Sequence, residues 1–245
     1  MDEDEIDVEL RTAREVRSRI LILASILRRL ALEDVSQELQ GDPGADAFDE
    51  REWLREEGLT SHLTAQEAAI LDSPLGSIAP EAIVEVSWQG EALAALAWAI
   101  GVRDMPPVEA TQNLGPIIDH LPRPWDATNA WMSDSAVVDE SDAVREREHA
   151  EIWHWRATTE LLRREASPAD RRDYEAAIAE VTAEADIAGF GQALRDGDFQ
   201  VRGRNIKEIL DTELDELIDI TGQRLRALNW LCGFGTSWDD VPLDV

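Results

Sequence analysis

The chain has 245 residues, 44% of them apolar, which is enough to bury a substantial hydrophobic core in one large domain. Its 52 acidic and 23 basic residues leave a formal net charge of −29, a field that repels nucleic-acid phosphates and anionic lipid. The single cysteine, Cys232, excludes an internal disulfide. Composition thus argues against a nucleic-acid-binding protein and against a disulfide-stabilised secreted domain.

The N-terminus reads Met-Asp-Glu-Asp-Glu, which is acidic where a secretory signal is basic and then apolar. The longest apolar runs, residues 20–27 and 92–100, are far shorter than the roughly 20 residues that cross a bilayer. We therefore expect a cytoplasmic protein with no membrane segment. Residues 1–5 are expected to be disordered, and residues 6–245 to form a single all-helical domain.

The first part of the chain carries a long helical pattern. Apolar residues at spacings of three to five predict an amphipathic helix over residues 6–39, with a break near Asp34. The Gly-Asp-Pro-Gly run at residues 41–44 breaks it. A short helix with Trp53 among its packed residues is then expected over residues 46–57.

Two further helix starts follow. Thr64 and Glu67 have the spacing of a capping box, in which each side chain bonds a free backbone amide at a helix start. The next helix is predicted over residues 80–100, with a proline in its first turn and Gly101 in the C′ position. Gly90 inside it predicts either a kink or a close approach of a neighbouring element.

Residues 102–139 are rich in proline and predict short helical turns and irregular chain. Ser141 or Asp139 is expected to cap a long helix over residues 142–165. A Ser-Pro-Ala-Asp start signal then opens a helix that ends near residue 188.

The glycines at residues 189–191 break that helix, and residues 196–204 are the one place where a short extended segment is expected. The last helix is predicted over residues 211–232. The fold class that these elements predict is all-α, a single multi-helix domain with central tryptophan-bearing helices and short irregular connections.

Two tryptophan-bearing blocks, residues 88–101 and 223–233, have the pattern of paired core helices. Glu91 lies in the first block, just before nine successive apolar residues. Burying a carboxylate is costly unless it is paired and hydrogen-bonded, so the expected partner is Arg224 of the second block, or next Arg226. We interpret Glu91 and Arg224 as a buried polar pair, with a functional acid as the alternative.

Other side chains in or beside the two blocks are candidates for a pocket or an interaction surface. These candidates are Trp88, Asn229, Trp230, Trp238 and Asp239.

Potential metal ligands are densest at residues 146–154. Glu151 and His154 have the spacing found in helical di-metal carboxylate bundles, as have Glu146 and His149. At 100° per residue, however, the two pairs point to different faces of a helix, and no second helix carries the motif. We expect no bound metal and no cofactor, and keep Glu151 and His154 only as weak metal candidates.

Four separated blocks together resemble a bacterial family described as domain of unknown function 4272. They are the Leu-Thr-Ala-Gln-Glu of residues 63–67, the tryptophan block at 88–101, His154-Trp155, and residues 224–231 followed by Trp238-Asp239. The resemblance extends from about residue 59 to residue 245. It implies an all-helical fold and transfers no catalytic residue.

No Ser/His/Asp elbow, supported Cys/His pair or Cys-x-x-Cys motif is present, so the sequence favours a non-enzymatic role. We expect an acidic protein that binds another protein, such as an immunity-type or accessory factor that neutralises a basic partner. One alternative is a small-molecule-binding protein or enzyme with a pocket around Glu91 and Arg224. The other is a mimic of DNA, which would need two rows of carboxylates at phosphate-like spacing.

Overall fold

The computed structural model describes residues 8–39, 44–187, 194–195 and 197–243. Residues 1–5, the first three residues of the predicted break at 41–44, and the predicted break at 189–191 lie outside these ranges, whereas Gly44 is the first residue of a helix.

The described residues are mostly helical, which confirms the predicted fold class. In chain order the helices are α1 (Ala13–Leu39), α2 (Gly44–Glu56), α3 (Ala65–Asp72), α4 (Pro80–Ser87), α5 (Gln89–Ala99), α6 (Gly115–Ile118), α7 (Asn129–Ser133), α8 (Glu140–Glu165), α9 (Asp170–Ile187) and α10 (Asp211–Leu231). A small antiparallel sheet, in the order β1–β2–β3, lies where the extended segment was expected. Its strands are β1 (Leu194–Arg195), β2 (Asp198–Val201) and β3 (Arg204–Asn205).

The first helix differs from the prediction at its start and in its middle. It begins at Ala13 and not at residue 6, because Thr12 and Glu15 bond each other's backbone N–H groups across the first turn, at 3.3 and 2.9 Å. It also runs without a break past Asp34. The apolar spacing begins before the helix, at Val8, and the hydrogen bonds mark where the helix starts.

Three other helix ends follow local chemistry. The capping box of Thr64 and Glu67 is present in both of its hydrogen bonds. Gly101, with φ at +74°, ends α5, and its N–H donates to the carbonyl of Trp98 at 2.9 Å. Asp139 occupies the N-cap position of α8, but its side chain makes no capping bond and the helix begins earlier than predicted, at Glu140.

The helix predicted over residues 80–100 is two helices. The chain turns at Trp88, which ends α4 and begins α5 with helical backbone angles. Two residues later, a Cβ added to Gly90 would lie 2.6 Å from a methyl carbon of Leu114, so this glycine permits a close approach. The kink brings the start of α5 against the segment that precedes α6.

The centre of the core is α5. Residues 92–97 are completely buried, and α5 packs between α1 and α10. Four of these six residues are alanines, whose small side chains leave room for both neighbours. The opposite side of α1 packs on α2, α3 and α4, while α10 also packs along α8. The N-terminal half of α1 and the C-terminal end of α10 thus meet at one end of the molecule.

Candidate functional site

Glu91, near the start of α5, and Arg224, in α10, form a buried ion pair whose side chains are 5% and 4% exposed. The Nη2 and Nε atoms of Arg224 donate to Oε2 of Glu91 at 2.7 and 3.1 Å. Oε1 of Glu91 accepts from the backbone N–H of Gln112 at 2.8 Å. Both carboxylate oxygens are therefore engaged, and the partner is the first of the two arginines expected.

The other donors of Arg224 bond backbone carbonyls. Nη1 donates to Pro106 and Pro107 at 3.1 and 2.8 Å, and Nη2 donates to Ala110 at 3.1 Å. All five N–H donors of a guanidinium are thereby used. Burial lowers the pKa of Arg224, and Glu91 partly offsets this effect. The pair holds the segment of residues 106–112 on α5 and α10, and it leaves no guanidinium N–H of Arg224 to donate to a ligand.

Two further sequence candidates also have structural contacts. Trp88 joins α4 to α5. Asn229 links α8 to the C-terminal segment, because its Oδ1 accepts from Arg147 at 2.8 Å and its Nδ2 donates to the carbonyl of Pro242 at 2.8 Å.

The two weak metal candidates, Glu151 and His154, form hydrogen bonds with different residues. Glu151 accepts from Arg147 at 2.9 Å, whereas Nδ1 of His154 lies 3.0 Å from the hydroxyl of Thr221 in α10. That hydroxyl donates to the carbonyl of Leu217 at 2.8 Å, so its oxygen accepts from a neutral His154. Within the described ranges, no group of three or more His, Cys, Asp or Glu could hold a metal ion.

The remaining three candidates line a cavity of about 460 Å³, a volume typical of small-molecule sites. Its walls come from the first turns of α1, residues 61–64, the end of α10 and the segment that follows α10. We call it the arginine–tryptophan cavity after its most distinctive lining residues. These are Arg11, Arg14, Arg19, Trp230 and Trp238, with Asp239 beside them.

Arg11 fixes one wall of this cavity. Its Nη2 donates to the carbonyl of Gly235 at 2.6 Å and its Nε donates to that of Trp230 at 3.3 Å, which ties the C-terminal segment to the start of α1. Its Nη1 lies 3.6 Å from Glu15, so the charge of Arg11 is largely compensated.

Arg19 lies deeper, with a side chain that is 4% exposed. It pairs with Glu67 and stacks over the ring of Trp238, 4.4 Å from the ring centroid. Burial lowers the pKa of its guanidinium to about 9, so it remains charged at neutral pH. Its Nε and the indole N–H of Trp238 are buried and have no acceptor in the described chain.

Arg14 differs from both. Its side chain is exposed, and its guanidinium has no hydrogen-bond or ion-pair partner among the described residues. It also lines a second cavity of about 270 Å³, together with Glu57 and Asn129. We call this second space the polar cavity, and its other lining residues are Leu59, Thr128, Met132 and Ser133.

A family model described as a domain of unknown function (DUF4272) matches residues 2–179 of the chain. The chain belongs to this family. The matched range corrects the extent that the tryptophan blocks suggested, residues 59–245, because it begins earlier and ends before α10. The block around Arg224 lies outside it. No curated protein and no solved structure matches the chain.

The DUF4272 match therefore contains only part of the Glu91–Arg224 pair and only part of the arginine–tryptophan cavity, whereas the lining residues of the polar cavity all lie within it. Glu91, Arg11, Arg14 and Arg19 lie within it, whereas Arg224, Trp230 and Trp238 lie beyond its end. No helix in the described part of this DUF4272 protein is long and apolar enough to cross a membrane.

The arginines of the cavity were missed in the sequence. A signal was present, since the cavity-lining residues of α1 and the residues just before it recur every three or four positions, from Arg11 through Arg14 and Ser18 to Ile22. These residues form a partly polar stripe along a helix whose other faces are mostly buried. In the sequence the stripe looks like an ordinary solvated helix face, because the C-terminal segment that forms the opposite wall of the cavity lies far away in the chain.

Proposed function

We propose that this DUF4272 protein binds a small organic anion in the arginine–tryptophan cavity. The observation that carries the proposal is the gathering of three arginines around an indole-lined cavity in a chain whose net charge is −29. The sequence suggested, as an alternative function, a small-molecule pocket around Glu91 and Arg224. The proposal retains a small-molecule site but places it elsewhere, because these two residues line neither of the two cavities described.

The charges at the cavity favour an anion over a cation. Two carboxylates, Glu15 and Asp239, line it, and a third, Glu67, pairs with Arg19, so Arg14 is the one of the three arginines with no ion-pair or hydrogen-bond partner among the described residues. The buried guanidinium of Arg19 gains from any further negative charge nearby, because burial disfavours its charged form. A cationic ligand, by contrast, would meet the unpaired guanidinium of Arg14.

The walls also favour a ligand with an apolar or aromatic part. Trp230 and Trp238 meet edge to face, with ring centroids 5.6 Å apart and planes at 72°. Leu63, which is partly exposed, lines the same space. An apolar group here displaces water from hydrocarbon surface while the anionic group stays near Arg14.

The test compares 3-phenylpropionate with its neutral amide, 3-phenylpropanamide, by isothermal titration calorimetry. We expect the acid to bind about tenfold more tightly than the amide, since a hydrogen bond to a charged group contributes about 1.5–3 kcal/mol. Arg14→Gln should remove this preference. The matched control is Arg172→Gln, which removes from α9 an exposed arginine that lines neither cavity and whose guanidinium has no hydrogen-bond or ion-pair partner in the described part of the chain.

Equal binding of acid and amide to the unmodified protein would refute the proposal. So would a failure of both to bind, or an equal loss of binding in the Arg14 and Arg172 variants.

A second candidate function is binding of a basic protein through the acidic surface. The observation that favours this candidate is that the excess negative charge lies at the surface. Buried arginines meet buried carboxylates, as in Arg29 with Glu33 and Arg156 with Glu160, so the excess of negative charge is carried by the surface. Such a field speeds association with a cationic partner.

This second candidate predicts a complex with a basic protein that weakens as salt is raised from 50 to about 300 mM, because screening shortens the reach of surface charge. Hen lysozyme and a neutral protein of similar size serve as a paired probe. Salt-insensitive binding, or equal binding to both probes, would count against it. Mimicry of DNA remains a narrower form of the same proposal, and selective binding to a DNA-binding protein would distinguish it.

A further inference from the structure

Arg14 is the one residue that the two cavities share. It lines both the arginine–tryptophan cavity and the polar cavity. Its guanidinium has no partner in the described chain, although Glu57 lines the polar cavity with it. A negatively charged group bound at Arg14 would therefore adjoin the space of both cavities.

The two spaces differ in chemistry. The first contains two indole rings, of Trp230 and Trp238, and the aliphatic side chain of Leu63, in a lining whose other exposed residues are polar or charged. The second presents the amide of Asn129, which is exposed and has no bonded partner among the described residues, and the hydroxyl of Ser133, whose oxygen can still accept. An apolar group suits the first space, and a group that both donates and accepts hydrogen bonds suits the second.

Carboxylates limit the charge of the ligand. Glu15 and Asp239 line the first space and Glu57 lines the second, so each would repel a negative charge placed away from Arg14. The net charge of the whole protein, −29, adds a field that repels an anionic ligand. One negative charge, located at Arg14, is what this arrangement accommodates.

We infer that a single ligand occupies both cavities and that it is an N-acylated α-amino acid carboxylate with an apolar side chain. Its α-carbon carries three different groups: a carboxylate, an apolar side chain and an acylamino group. The carboxylate lies against Arg14, the side chain lies in the arginine–tryptophan cavity, and the acylamino group lies beside Asn129. The same chemistry occurs in a free N-acyl amino acid and in the carboxy-terminal residue of a peptide. This inference rests on the proposed function.

The test measures calorimetric dissociation constants of the full chain for N-acetyl-L-phenylalanine and for 3-phenylpropionate, which lacks the acylamino group. We expect N-acetyl-L-phenylalanine to bind about tenfold more tightly, as two added hydrogen bonds permit. Asn129→Ala should reduce that advantage to about twofold. Ser133→Trp, which places a large side chain in the polar cavity at an exposed position, should abolish the advantage.

The inference is overturned if N-acetyl-L-phenylalanine binds no more tightly than 3-phenylpropionate, or if its advantage survives both substitutions. In either case the proposed function stands as long as 3-phenylpropionate still binds more tightly than its amide. If neither carboxylate binds, the proposed function and the inference both fail. Tighter binding of Gly-Gly-L-phenylalanine than of N-acetyl-L-phenylalanine assigns the site to a peptide terminus, and the reverse order assigns it to a free N-acyl amino acid.

Discussion

Replacing Arg224 by methionine tests the structural role of the Glu91–Arg224 pair. The substitution removes every donor to Oε2 of Glu91 and to the carbonyls of Pro106, Pro107 and Ala110. It leaves a carboxylate that is 5% exposed without its countercharge. Removing one partner of a buried ion pair typically costs about 3–5 kcal/mol, so we expect the free energy of unfolding to fall by about 4 kcal/mol.

The assay is urea unfolding at pH 7 followed by tryptophan fluorescence, with the slope against urea compared between variants. The control is Arg145→Met, which breaks an ion pair of similar length, 2.8 Å to Asp142, whose side chains are 60% and 44% exposed. We expect the control to lose about 0.5 kcal/mol or less, because water screens exposed pairs. If Arg224→Met loses less than about 1 kcal/mol, comparable to the control, burial does not set the strength of this pair and the reasoning is wrong.

Three further predictions follow from buried or strained positions. Burial lowers the pKa of His154. The free energy of unfolding should therefore fall as the pH drops below about 6.5, the ordinary histidine value, and level off below the pKa of the folded state. His154→Gln should flatten this part of a plot of unfolding free energy against pH, and an unchanged plot would contradict the prediction. Burial raises the pKa of Cys232 to about 11, so Ellman's reagent at pH 8 should react with it only after unfolding, and rapid reaction of the native protein would contradict this. Gly233→Ala should cost about 2 kcal/mol or more, since φ is +85° and the new Cβ would lie 2.5 Å from the carbonyl oxygen of Glu9. Gly58→Ala, with φ at +72° and open space, should cost only about 1 kcal/mol, and equal losses would exclude the clash as a cause.

A role for the cavity would give the C-terminal segment a purpose beyond packing. The segment that carries Trp238 and Asp239 is held by hydrogen bonds from Arg11 to the carbonyl of Gly235 and from Asn229 to that of Pro242, together with the packing of Trp238 on Arg19 and Trp230. The segment is thus fixed at both ends against α1 and α10. Ligand binding should therefore protect the amides of residues 234–241 from hydrogen exchange, as would be expected of a wall of the site.

Some features could be predicted from sequence because their causes lie within a turn or two of chain. The capping box of Thr64 and Glu67 and the helix end at Gly101 each depend on residues only a few positions apart. The long-range pairing of Glu91 with Arg224 was predictable for another reason. A carboxylate in an apolar helix needs a countercharge, and few arginines lie in helices that are equally apolar.

The sequence by itself thus determined the helical fold class, most helix ends and the need for a partner at Glu91. Only the tertiary structure decided that the helix predicted over residues 80–100 divides at Trp88, that Arg14 lines two cavities without a partner among the described residues, and that Trp238 lines one of them. The physical reason is the range of the interactions. Capping bonds and helical periodicity act between neighbours, whereas a cavity is the space left when segments about 200 residues apart, at positions 11–22 and 230–239, pack against each other without filling it.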